Sequence, residues 1–217
     1  FADEGTRSAW VAVLAGLAGP VRNLLVTHFH PDHLGLATWL LEQTGAQLWM
    51  TAAEFLTAHA VWHEVGGHGA RFMTEQFRQH GLSADLLDRF ARRGSGYTRS
   101  VPALPERYNR LQAGDSRAIG GREWKVVIGH GHSPEHAALY CQELAVLISG
   151  DMLLPRISTN ISVMAVTPAA DALGSYLASL DAMAREIPDS TLVLPSHGLP
   201  FVGLSERIAA LHAHHGE

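Results

Sequence analysis

Within the six residues HFHPDH, four side chains are of metal-ligand type: His28, His30, Asp32 and His33. Imidazole and carboxylate are donors that suit Zn, Fe and Mn. In an extended segment, residues two apart point the same way, so His28 and His30 can face one ion together. Pro31 then turns the chain and lets Asp32 and His33 aim at a second point. One His pair with a carboxylate can hold one ion, whereas three histidines and an aspartate at this density favour two. Any one of the four alone reads as a helix cap or a wet-loop histidine, but that reading fits the set poorly.

Two ions need further ligands, and three segments offer them. GHGHSPEH at 129–136 follows an apolar run and is rich in glycine, so backbone can approach closely, and His132 is its best candidate. SGD at 149–151 puts Asp151 at the end of an apolar run, where a carboxylate could bridge two ions. PSHG at 195–198 does the same for His197. Taken singly, a strand-end histidine is an ordinary loop residue and a lone aspartate a turn former. Together, all three fall just after expected strands, as the first motif does.

The elements that must position them alternate. A helix is expected over 8–18, a strand over 21–27, a helix from about Leu34 to Thr44 stopped by Gly45, and a strand over 46–50. Thr51 opens a capping box, TAAE, with Glu54 at its third helical position. Helices follow near 70–80 and 83–93, the second capped by Ser83, and 94–116 reads as loop. Strands return at 123–130 and as a hairpin over 138–149. Thr167-Pro168 is expected to open a helix running to Glu186, before a strand at 191–195 and a last helix. This order is that of a layered α/β domain. One domain over 1–217 is expected, with a helical insert at 52–115.

Composition narrows the function. Hydrophobic residues at 47% and charged residues at 17% exclude intrinsic disorder. No apolar run is long enough to span a bilayer, so no membrane partner is expected. The formal charge of −5 argues against a general nucleic-acid binder. A single cysteine excludes a disulfide framework and a zinc site of several thiolates, whereas histidine, at 14, is plentiful. The chain opens FADEG without Met and stops within an expected helix, so both ends are expected to be cut. A cytoplasmic protein is expected.

The order HFHPDH, GHGHSPEH, SGD, PSHG resembles the metallo-β-lactamase-fold hydrolase superfamily, and looks most like its glyoxalase II-like and LACTB-like branch. The resemblance covers nearly the whole chain. It implies an αββα sandwich, here lacking the β-rich N-terminal portion that precedes the first helix in the family. It matches His28, His30 and His132 to the ligands of a first metal. It matches Asp32, His33 and His197 to those of a second, and Asp151 to the bridging carboxylate. His136 matches a support residue. The long gap from His33 to His132 is filled by the insert.

Two divalent ions about 3.5–4 Å apart can share a water and lower its pKa toward roughly 7. The function so implied is hydrolysis of an ester, thioester or lactone-type bond by a metal-bridged hydroxide, with Asp32 also orienting the nucleophile or taking its proton. Two Zn ions are expected, with Fe or Mn as alternatives. Asp151 at the bridging position, rather than Cys, counts against the antibiotic-degrading lactamases. His30 counts against the diiron flavoprotein branch. The rival readings are a mononuclear Fe persulfide dioxygenase and a metal-dependent ribonuclease, the latter lowered by the acidic balance. A small-molecule substrate is expected, and a homodimer is an open possibility.

Other residues read more plainly. Phe72, Met73, Phe77, Leu82, Leu86, Leu87 and Phe90 are expected to form core or a dimer face rather than a lid. Arg71, Arg78, Arg89, Arg92, Arg93 and Arg99 are expected on a solvated face. His59, His63 and His68 are expected at the surface, and Cys141 as a small buried hydrophobe. Trp39, Trp49 and Trp62 are expected in the core. His212, His214 and His215 are candidates for adventitious metal binding only.

Overall fold

The computed structural model describes residues 2–93 and 96–216, without the side chain of Arg93. Phe1 and Glu217, and Gly94 and Ser95 within the expected insert, lie outside the described residues. The chain forms two compact units. One comprises residues 1–109 and 163–170, the other residues 110–162 and 171–217.

The first unit begins with helix α1 (Glu4–Ala15), whose N-cap Asp3 accepts from Thr6 N at 2.8 Å. The expected helix over 8–18 is therefore shifted toward the N-terminus. Asp3 satisfies a first-turn N–H, and the helix closes at Gly16, ahead of Gly19-Pro20. Strand β1 (Asn23–Leu25) leads into the short helix α2 (Pro31–Leu34) and then α3 (Ala37–Thr44). Gly45 closes α3 in the left-handed region at φ 67°, which glycine adopts without a Cβ penalty. Strand β2 (Gln47–Thr51) pairs in parallel with β1, Leu24 opposite Leu48. Thr51 caps α4 (Ala52–Trp62), its side chain accepting from Glu54 N at 3.4 Å. The core of this unit gathers Val26, Phe29, Leu34, Leu48, Met50 and Val101.

Helices α5 (Ala70–Gln79) and α6 (Ala84–Arg93) form as expected, with the Phe77 and Phe90 rings edge to face at 5.0 Å. No side chain of α5 is fully buried, and Phe72, Met73, Leu82, Leu87 and Phe90 are only half-buried or exposed. Arg71, Arg78, Arg89, Arg92 and Arg99 are exposed. The expected loop at 94–116 instead holds helix α7 (Tyr97–Ser100) and strand β3 (Asn109–Leu111). Both are too short to leave a periodic signature. Of the histidines expected at the surface, His63 is exposed but His59 and His68 are half-buried. The His59 ring packs on Phe55 and meets the Pro105 carbonyl at 3.1 Å. Trp39, Trp49 and Trp62 are half-buried.

The second unit is built on strands β4 (Ser116–Ile119), β5 (Arg122–Gly129), β6 (His136–Cys141), β7 (Val146–Gly150) and β8 (Leu192–Pro195), in that order across one sheet. Every pair is antiparallel except β7 with β8, which is parallel. Strand β6 is buried along its whole length and carries Cys141. Helices α8 (Ala172–Glu186) and α9 (Leu204–His215) supply Tyr176, Leu180, Met183, Leu204, Ile208 and Leu211 to the core.

Helix α8 starts later than Thr167-Pro168 suggests. Asp171 caps it, accepting from Gly174 N at 2.7 Å, while Thr167 and Ala170 donate in turns that precede it. The turn at 163–170 belongs to the first unit, so the chain changes unit just where the helix begins.

Candidate metal centre

In the first unit the strand-to-helix turn after β1 carries four candidates. His28 is fully buried, His30 and His33 are half-buried, and Asp32 is exposed. His28 Nε2 and His30 Nδ1 stand 3.0 Å apart with their rings edge to face. His28 Nδ1 meets Thr27 Oγ1 at 2.9 Å, and the same hydroxyl lies 3.3 Å from His33 Nδ1. Thr27 thus orients two imidazoles from one oxygen. His33 Nε2 lies 3.7 Å from Asp32 Oδ2. The turn forms because Pro31 takes the first helical position, where its missing N–H costs nothing.

In the second unit, three strand ends deliver His132, Asp151 and His197. Asp151 Oδ2 lies 3.4 Å from His132 Nε2, and Asp151 Oδ1 lies 3.5 Å from His197 Nε2. Each carboxylate oxygen therefore faces a different imidazole. His132 and Asp151 are buried and His197 is exposed. The parallel pairing sets this up, since Gly150 is opposite Pro195 and Ser196 N donates to Gly150 O at 3.1 Å.

Behind these groups the hydrogen bonding is specific. The Asn160 carbonyl meets His132 Nδ1 at 2.7 Å and leaves Nε2 directed toward Asp151. Asp151 N donates to His136 Nε2 at 3.1 Å, and Thr159 Oγ1 donates to the Asp151 carbonyl. His136, fully buried, therefore carries its ring proton on Nδ1 when it accepts. Gly131 sits at φ 94°, and a Cβ there would come within 2.7 Å of Tyr176 N, so glycine is required beside His132.

A cavity of about 520 Å³ opens beside His197, lined by Pro155, Ile157, Leu199 and Phe201 with Arg156 among them. Two anchors shape it. Arg207 donates to the carbonyls of Leu154 and Ile157, and Phe201 exchanges hydrogen bonds with Val193.

Two residues make contacts that the sequence pattern does not show. Glu54, read there only as a capping residue, is fully buried, and its Oε2 accepts from Phe29 N at 2.9 Å. Tyr97, within the expected loop, donates from its hydroxyl to Phe29 O at 2.6 Å. Burial, and then the Glu54 carboxylate, raise the Tyr97 phenol above its ordinary value and keep it protonated as a donor. The burial of Glu54 leaves no mark in the local pattern, and Tyr97 has no periodic context.

The family model for the metallo-beta-lactamase superfamily matches residues 4–197. The chain belongs to the metallo-beta-lactamase superfamily. Among solved structures, a beta-lactamase domain protein from Burkholderia ambifaria is 43% identical with a TM-score of 0.84, over 99% of this chain and 61% of that one. A metallo-beta-lactamase family protein from Thermus thermophilus is 29% identical with a TM-score of 0.78, over 99% of this chain and 68% of that one. TTHA1623, solved in a di-iron-bound form, is 25% identical with a TM-score of 0.62, over 95% of this chain and 84% of that one. The chain thus spans 61% of the Burkholderia protein's length. No curated protein matches it. The α/β architecture is that of the superfamily, as the sequence implies. No helix among the described residues is long and apolar enough to cross a membrane.

Superfamily members use divalent metals, and the residues here suit such ions. Two nitrogens sharing a tetrahedral ion at about 2.0–2.1 Å stand roughly 3.3 Å apart. The separations of 3.0 Å for His28–His30, 3.4 Å for His132–Asp151 and 3.5 Å for His197–Asp151 are of that size. Within each unit, the ligand atoms of Asp32 and His33, and those of Asp151 and His197, lie within 4.8 Å of one another.

Proposed function

We propose that the chain is a dinuclear metal-dependent hydrolase of a small-molecule ester, thioester or lactone-type bond. By the family resemblance, His28, His30 and His132 would hold one ion and Asp32, His33 and His197 the other, with Asp151 shared. The observation that carries this reading is the Asp151 carboxylate, whose two oxygens face two different histidines, His132 and His197. That arrangement suits a carboxylate shared by two ions. The family supports the same reading, and the di-iron form of TTHA1623 is a precedent for two ions on this fold. The donor set of five imidazoles and two carboxylates suits Zn, with Fe or Mn as alternatives.

When bound, such ions would supply an activated water and an electrophilic contact for the scissile carbonyl oxygen. Asp32, the exposed carboxylate of the set, orients that water and takes its proton. Water adds to the carbonyl carbon and the bond to sulfur or oxygen breaks. The leaving group is protonated from water. His136 and Thr159 hold the Asp151 backbone on both sides, and Asn160 fixes the His132 ring. The apolar cavity beside His197 receives the substituent of the acyl or lactone group, and Arg156 suits an acidic end.

The test is metal content per chain by elemental analysis, on untagged protein and on His132→Ala, followed by an ester, thioester and lactone panel. Close to two ions, falling in the variant, with turnover of one substrate class, is the expected result. Metal-loaded protein that cleaves no member of the panel overturns the hydrolase. A single Fe with no second ion points instead to persulfide oxidation, read by oxygen uptake.

A further inference from the structure

We infer that Glu54 and Tyr97 are positioning residues that fix the His28–His30 pair in its ligand geometry before an ion arrives. The inference rests on His28 and His30 being metal ligands, not on the reaction they serve. Phe29 lies between the two histidines. Its N–H belongs to the peptide plane that joins it to His28, and its C=O to the plane that joins it to His30. Glu54 Oε2 holds the first plane at 2.9 Å and the Tyr97 hydroxyl holds the second at 2.6 Å. Rotation of either plane would swing one imidazole away from the other. With both held, His28 Nε2 and His30 Nδ1 stay 3.0 Å apart.

The cost of this arrangement argues for a role. Glu54 bears the desolvation penalty of a buried carboxylate, which a capping residue in water escapes. Its place in the first turn of α4 offsets part of that, because the helix N-terminus favours negative charge. The two anchors come from 25 and 68 residues along the chain, so the turn is held by the tertiary fold rather than by its own sequence. The Phe29 ring, packed 6.2 Å from the Tyr97 ring, adds a third restraint.

The test is titration of the metal-free chain with Co(II) against a competing chelator, read by affinity and by the visible absorption of the bound ion. Tyr97→Phe removes one hydroxyl and keeps the ring, and Glu54→Ala removes the acceptor. Both are expected to weaken binding roughly 10- to 100-fold and to alter the Co(II) spectrum, as loss of an outer-shell partner does. Glu54→Gln keeps an acceptor oxygen and should recover part of the loss. Leu48→Ala, in the same core but without a hydrogen bond to the Phe29 backbone, should lower thermal stability and leave Co(II) affinity unchanged. The inference is overturned if Tyr97→Phe and Glu54→Ala bind Co(II) within about twofold of wild type, well short of an outer-shell effect. It is equally overturned if Leu48→Ala loses as much affinity as they do. A wild type that binds ions but hydrolyses nothing would sink the proposed reaction and leave this inference standing.

Discussion

In the first unit four ligand-type side chains come from six consecutive residues at one strand-to-helix turn, whereas in the second three come from three separate strand ends. The supports are nonetheless alike. Phe29, between two candidate ligands, has its N–H held by Glu54 and its C=O by Tyr97. Asp151, itself a candidate, has its N–H held by His136 and its C=O by Thr159. In both units a buried side chain grips each side of one residue's backbone at the site. A cluster that is local in sequence and one assembled across a sheet therefore need the same kind of restraint. A ligand's rotamer is only as fixed as the backbone that carries it.

The comparison is sharpened most by removing one ligand from each side. On the proposed dinuclear reading, Asp151→Asn should empty both metal positions, because its two oxygens face two histidines, while His28→Ala should spare the second position. Metal analysis should fall from close to two ions toward none in the first variant and toward one in the second. Hydrolysis should drop by more than about 10³-fold in Asp151→Asn, or roughly 4 kcal/mol of barrier. Equal metal loss in the two variants would break the distinction.

Stability separates the units at their glycines. Gly131→Ala forces a Cβ against Tyr176 N in a left-handed backbone and should cost about 3 kcal/mol or more, read by denaturant unfolding. Gly45→Ala has the same backbone problem in open space and should cost about 1 kcal/mol.

A smaller effect belongs to the first unit alone. Its folded state holds the Tyr97 proton above the ordinary phenol value, through burial and then through Glu54. The unfolded chain releases that proton near pH 10.0, so it binds fewer protons than the folded chain above that point. Stability should fall with rising pH there, more steeply in wild type than in Tyr97→Phe, by alkaline denaturation. The smallest effects should not distinguish the units at all. Arg92→Ala and Lys125→Ala each break one exposed ion pair and should change stability by less than about 0.5 kcal/mol.

The seven candidate ligands were legible because they sit in short, chemically dense motifs just after apolar runs. The capping box of α4 and the glycine stop of α3 were legible for a similar reason, since both act within a few residues. The true start of α8 was not, because two caps compete: Asp171 accepts from Gly174 N, while Thr167 and Ala170 donate in turns that precede the helix. Nor were α7 and β3, which are shorter than any hydrophobic period.

By itself, the sequence named the candidate donors, their order along the chain and the strand ends that carry them, because these depend on residue type and local turn chemistry. Tertiary structure alone decided how firmly they are held. Glu54 is a cap by its neighbours and a buried anchor by its fold, and Tyr97 is a loop tyrosine until its hydroxyl meets Phe29 O. Burial and hydrogen-bond partners 25 and 68 residues away are properties of the packed chain, and no local pattern encodes them.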